Sequence, residues 1–186
     1  LAASSGVTHL WLPKYEEIYP EGFERLTADP IGNLFEGAAR PGHFDGVVTV
    51  VRRLFDLVMP KVAIFGEKDF QQLFLIKKIA QDIEIIAAPT IRENDGLAMS
   101  SRNSRLSEAG RSAATIMYRA LNTAKSEAEL QELLKSEPLL TLDYAVFIDE
   151  QTFMPASPDS QKVRALVAGW IDGIRLIDNM AMEVRS

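Results

Sequence analysis

Apolar residues in the first hundred positions recur with two alternating periods. Residues 8–13 (THLWLP) form a short apolar run ended by Pro13. They predict a buried strand followed by a connection, with His9 inside it as a core histidine rather than a ligand. A loop punctuated by proline and glycine follows, to about Gly32. Over 46–59, Val47, Val50, Val51, Leu54 and Val58 fall at helical spacing while Arg52, Arg53 and Asp56 take the other face, and Pro60 ends the helix. Residues 62–65 (VAIF), stopped by Gly66, have the unbroken apolar character of a strand covered on both faces in a parallel sheet. A second helix is predicted over 70–81 and a further strand over 83–87 (IEIIA), closed by Pro89. Helix, strand, helix and strand joined by short connections predict right-handed crossovers and a doubly wound α/β sheet.

The pattern changes after Leu106. Long helical sequence appears, in which Ser126 and Glu129 form a capping box ahead of Leu130, Leu133 and Leu134. Residues 144–148, 163–168 and 174–177 then read as strands with no helix long enough between them for a parallel crossover, so an antiparallel sheet is expected. Two units follow from this: residues 1–105, an α/β domain, and residues 106–186, a small α+β domain.

A formal charge of −6 excludes a general nucleic-acid or acidic-membrane binder, because such binding needs a positive field. An anionic ligand must therefore meet locally concentrated positive charge. The absence of cysteine removes disulfides and thiolate metal sites, and no apolar run escapes interruption by charge for long enough to span a bilayer. An intracellular, cytoplasmic protein is expected. The chain opens without Met and enters apolar sequence almost at once, which predicts that a natural N-terminal stretch is missing.

Three polar clusters stand where an α/β fold places its ligand, beyond strand ends or at helix starts. The first is 36–44 (EGAARPGHF), where Arg40 and His43 can present donors to an anion or simply belong to a solvated capping loop. In the second, 66–72 (GEKDFQQ), Gly66 admits a close backbone approach, Lys68 can neutralise phosphate, and Gln72 can both donate to and accept from a hydroxy acid. Asp69 there either holds a ribose hydroxyl or caps the helix of an ordinary strand-to-helix turn. The third, 92–103 (RENDGLAMSSRN), offers two hydroxyls and a guanidinium suited to gripping a polyphosphate, and reads alternatively as a mobile surface loop. Asp143, Asp149 and Glu150 lack metal-ligand spacing and read as solvated strand ends, and two histidines cannot build an imidazole-rich metal site, so no protein-held metal is expected.

Taken together, EGAARPGHFDGVVTVV (36–51), FGEKDFQQL (65–73) and PTIRENDGLAMSSRN (89–103), in this order and at these separations, closely resemble the pantothenate synthetase family, and RLIDN (175–179) resembles its C-terminal domain. The resemblance implies a Rossmann-like nucleotidyltransferase domain, a small C-terminal lid and a homodimer. It implies ATP and Mg2+ as cofactors, with pantoate and β-alanine as substrates. Carried over by motif, Gly66, Glu67 and Asp69 would lie along the nucleotide, Lys68 on its phosphates and Gln72 on pantoate. Ile91 would offer backbone to adenine, and Met99, Ser100, Ser101 and Arg102 would grip the triphosphate much as a KMSKS loop does. Lys68, Ser100 and Arg102 would be the catalytic residues. Glu36, Arg40 and His43 would order the pocket wall.

Two features depart from the family pattern. Its opening glycine- and histidine-bearing phosphate loop, akin to the HIGH signature, has no counterpart here, so the polypeptide alone is expected to show little ligase activity. Connections near Gln81 and Asp82 and within 124–142 are also short. Two other readings stay open: an adenylate-forming nucleotidyltransferase with a different acceptor acid, and a non-catalytic nucleotide-binding or dimerisation module.

Overall fold

The computed structural model describes residues 2–182. Six residues that read as strand do not form one: 8–13 run irregularly over the surface, with Leu10 and Leu12 more than two-thirds exposed. A strand exists only with a hydrogen-bonding neighbour, and none among the described residues lies beside this run. His9 is accordingly exposed instead of buried, its Nδ1 beside its neighbour's hydroxyl in Thr8.

Two single-turn helices, α1 (Tyr15–Ile18) and α2 (Glu36–Ala39), precede the long helix α3 (His43–Val58). That helix starts three residues earlier than the apolar periodicity alone indicates. Strand β1 (Val62–Gly66) follows, then a 3-10 turn (Glu67–Asp69), helix α4 (Phe70–Ile79) and strand β2 (Glu84–Ala88). β1 and β2 pair in parallel from Val62 opposite Glu84 to Gly66 opposite Ala88, as the alternation predicted. Coverage differs from the expectation. Ala63, Phe65, Ile83 and Ile85 pack under Val51, Phe55 and Ile76 of α3 and α4, whereas Val62, Ile64 and Ile86 on the other face are exposed. Among the described residues, helices therefore cover one face of this sheet, not two.

Helices α5 (Glu108–Ala113), α6 (Thr115–Thr123) and α7 (Glu127–Lys135) lead into an antiparallel sheet of β3 (Thr141–Asp149), β4 (Val163–Ile171) and β5 (Ile174–Met182), in that order. The Ser126 hydroxyl accepts from the Glu129 amide, so half of the predicted capping box forms; the Glu129 carboxylate turns instead to the Lys125 amide. Asp172 and Gly173, both at positive φ, join β4 to β5 in a two-residue turn whose twist matches the strands.

Period-two alternation sends the two faces of the sheet into different cores. Ala145, Ala165, Val167 and Leu176 pack with Leu121, Leu130 and Leu134 of the helices. Ile148 and Leu166 pack with Phe44, Phe70, Leu73 and Phe74 of the α/β unit. Phe153, fully buried, closes that second core against the rings of Phe35, Phe70 and Phe74. Truncating it would cost about 3–5 kcal/mol. The C-terminal sheet is thus built into the α/β unit through shared side chains, which places β5 beside the turn after β1.

Candidate functional site

Helix α4 carries two adjacent glutamines whose directions differ by one residue's rotation about the helix. Gln71 is 4% exposed; its amide donates to the Ile31 and Leu34 carbonyls, each at 2.8 Å, and accepts from the Glu36 amide at 3.1 Å. All of its near-side hydrogen-bonding capacity thus goes into holding the backbone that delivers Glu36. Gln72 instead faces a cleft of about 440 Å³, part of it open to solvent, together with Glu36, Arg40, His43, Lys68 and Asp69.

The charged wall of this cleft is ordered by β5. Arg175 donates to both oxygens of Glu36 at 2.6 Å and to Asp143 at 2.6 Å, and the Tyr144 hydroxyl donates to Glu36 at 2.9 Å. Burial, then the Glu36 charge, pushes the Tyr144 phenol well above its ordinary range and keeps it a donor. Arg40 donates to Nε2 of His43 at 3.1 Å, a geometry that requires the unprotonated ring nitrogen. Burial and then the Arg40 charge hold the His43 pKa below its usual value, against the opposing pull of Glu36 and Asp69.

A second cavity adjoins the first and is lined by Lys68, Ser100, Arg102, Asn103, Arg175 and Asp178, among others. Lys68, Ile177 and Asp178 face both. Of the residues singled out by sequence, the structure therefore gathers Lys68, Asp69, Gln72, Ser100 and Arg102 around two contiguous cavities. Gly66, Glu67, Ile91, Met99 and Ser101 line neither; Glu67 points toward Arg164 at 3.8 Å, and Ile91 and Met99 are mostly exposed. Asp69 sits at the N-cap of α4 without a side-chain cap bond, because the 3-10 turn carries its carboxylate toward the cleft.

The loop bearing Ser100 and Arg102 has a rigid base. Its two arms bridge antiparallel at Arg92 and Ala98, and Arg111 of α5 holds Glu93 and Asp95, each at 2.7 Å. The Asn103 amide reaches Glu93 at 2.8 Å and the Ala98 carbonyl at 3.1 Å. Beyond this base the tip at Met99, Ser101 and Arg102 is exposed.

Sequence reasoning missed several of these groups. Glu150 is not a solvated end, since it accepts from the nearly buried Arg164 at 2.6 Å; Asp143 is exposed as expected and also pairs with Arg175. Asp149 does end a strand in solvent, capping the turn amides of Gln151 and Thr152. Arg175, Asp178 and Asn179 carried a usable signal, since charged and amide side chains inside an otherwise apolar strand must find buried partners.

A parallel strand–turn–helix unit presenting a lysine opposite a hydroxyl- and guanidinium-bearing loop defines a nucleotidyltransferase-like α/β fold. A family model described as pantoate–β-alanine ligase matches residues 1–181, and the chain belongs to that family of ligases. It is 42% identical over 202 residues to a pantothenate synthetase of Caldicellulosiruptor bescii, covering 100% of this chain and 72% of that protein. A pantothenate synthetase of Marinobacter nauticus is 44% identical over 199 residues, covering 97% of this chain and 70% of its own. The crystal structure of pantothenate synthetase from Thermus thermophilus superposes with a TM-score of 0.86 at 42% identity, over 96% of this chain and 71% of that one. That of a Francisella tularensis pantoate–β-alanine ligase, complexed with β,γ-ATP and β-alanine, gives 0.76 at 34% identity, over 96% and 66%.

Proposed function

We propose that this chain carries the ATP- and pantoate-handling site of an enzyme that condenses pantoate with β-alanine. The pantoate carboxylate attacks the α-phosphorus of ATP, forming pantoyl adenylate and releasing pyrophosphate; the β-alanine amine then attacks the activated carbonyl, giving pantothenate and AMP. The convergence of Lys68, Ser100 and Arg102 on one cavity is the observation that carries this reading. Adenylation needs charge neutralised on the α-phosphate and departing pyrophosphate far more than it needs a protein nucleophile, and these three side chains supply that charge and its hydrogen bonds. Gln72 takes the pantoate hydroxyls from the adjoining cleft, with Asp69 toward the nucleotide. Gly66, Glu67, Ile91, Met99 and Ser101 contribute, in this reading, through backbone or on closure of the loop tip.

The protein's own side chains do not fit a magnesium cage: among the described residues no group of three or more carboxylate or imidazole side chains is placed to hold a cation. The magnesium implied by the family would be held by the nucleotide's phosphates, where it would supply neutralising charge, and no step here passes through it. The C-terminal sheet serves as the cover of the site. A cytoplasmic homodimer is the expected assembly, checked by light scattering against the 20.7 kDa chain mass. No described helix is long and apolar enough to cross a membrane.

Calorimetry with ATP and with pantoate tests the assignment. Lys68→Ala should weaken ATP binding about tenfold or more, equivalent to about 1.4 kcal/mol, and change pantoate binding little. The reverse preference would overturn these roles, and no heat with either ligand would favour a non-catalytic module.

A further inference from the structure

Two consecutive residues of β5 reach the two phosphate-facing turns from one place. Asn179 is 4% exposed, and its amide nitrogen donates to the Glu67 carbonyl at 3.0 Å and the Lys68 carbonyl at 2.8 Å. Its side-chain oxygen accepts from Arg164 at 2.6 Å, and Arg164 is fixed in turn by Glu150 and by stacking over Phe70. Asp178, 3% exposed, takes both terminal nitrogens of Arg92, at 2.6 and 2.9 Å. Arg92 also donates to the Gly96 and Asn179 carbonyls and lies over the Tyr118 ring. One strand step therefore holds both the backbone of the lysine turn and the base of the loop carrying Ser100 and Arg102.

Resting on the nucleotide reading above, we infer that Asp178 and Asn179 are a positioning pair that sets the separation of Lys68 from Ser100 and Arg102, and so the fit of the cavity to a phosphate chain. Neither turn is held in place by regular secondary structure at its tip. The Glu67 and Lys68 carbonyls lie in a 3-10 turn, where short hydrogen bonds leave carbonyls in need of outside partners. The Asn179 amide meets that need, and it does so from a strand paired along its whole length with β4, which is buried on both faces. Asp178 applies the same support to the loop through a planar, two-bond guanidinium contact, which fixes direction as well as distance. A lysine on a flexible stem can then act as a directed charge, because the backbone that launches it does not move.

Asn179→Asp isolates this role: it keeps an oxygen for Arg164, removes both donated bonds and sets a carboxylate against two carbonyls. In the free protein, amide exchange across 67–70 should accelerate at least tenfold while α7 amides change less than twofold. ATP should bind at least tenfold more weakly, and in a Lys68→Ala background the same substitution should change ATP affinity less than twofold. Asp178→Asn should show the matching dependence on Arg102→Ala. Unchanged exchange across 67–70, or an equal fold-loss of ATP affinity with and without Lys68, would overturn the inference, the second outcome marking a merely structural residue. Should Lys68→Ala leave ATP binding intact, the nucleotide assignment fails, and the exchange measurement still decides whether Asn179 holds the turn.

Discussion

Replacing Arg175 with methionine removes a guanidinium from an enclosed ion pair of the cleft while keeping much of its apolar stem. Arg175 and Glu36 have side chains only 10% and 13% exposed, and both Glu36 oxygens lie 2.6 Å from one guanidinium nitrogen. Removing one member of so enclosed a pair strands the other charge and costs about 3–5 kcal/mol. Tyr144 still donates to Glu36. The lower end, about 3 kcal/mol, is therefore expected. The Asp143 arm adds little, because that carboxylate is 37% exposed and such pairs contribute about 0–1 kcal/mol. For a chain of this length, about 3 kcal/mol corresponds to a fall of about 6–12 °C in Tm. Scanning calorimetry with urea unfolding would measure it, alongside Glu36→Gln and the double variant. Because the double variant carries neither buried charge, it should recover at least half the loss. A single-variant cost below about 1 kcal/mol, or a double variant whose loss equals the sum of both singles, would show that the pair does not hold the cleft wall.

Gly96 sits at φ +90, and a Cβ there would approach the Tyr118 ring to 2.0 Å, so Gly96→Ala should destabilise by about 1–3 kcal/mol and loosen Arg92 above that ring, read as a lower urea midpoint. His43 has a folded pKa below its unfolded value, so the unfolded chain takes up the proton first. Stability should fall as pH drops below about 6.5 toward the folded pKa and level off beneath it. His43→Gln should flatten that part of the urea-stability profile, and an identical profile would refute the coupling. Ser107 caps α5 through the Gly110 amide and donates to Asp172 at 2.8 Å, so Ser107→Ala should cost about 1 kcal/mol in the same assay.

Local order was largely written in local pattern. The period of 3.6 over α3, the short apolar runs of β1 and β2, and Ser126 before α7 each depend on neighbours a few residues away, and each folds as the sequence indicates. The three polar clusters were legible for a related reason: glycine, proline and charge mark turns at strand ends, and the fold places ligands there. Where the pattern failed, a distant partner was needed. Residues 8–13 have strand character but no neighbour to pair with among the described residues, and the outer face of β1 and β2 carries core-like Val62, Ile64 and Ile86 with no helix over it.

The sequence by itself determined most of the elements, the antiparallel character of the C-terminal sheet and which turns carry clustered charge and hydroxyls, because backbone propensity and alternation act over one or two turns of chain. Only the tertiary structure decided which charges are paired. Glu36 and Arg175 lie 139 positions apart and Arg92 and Asp178 86 apart, and nothing in either local stretch names its partner. Burying a charge is costly unless it is met, so the packing of β5 against the α/β unit fixes those matches, and with them the shape of the cavity.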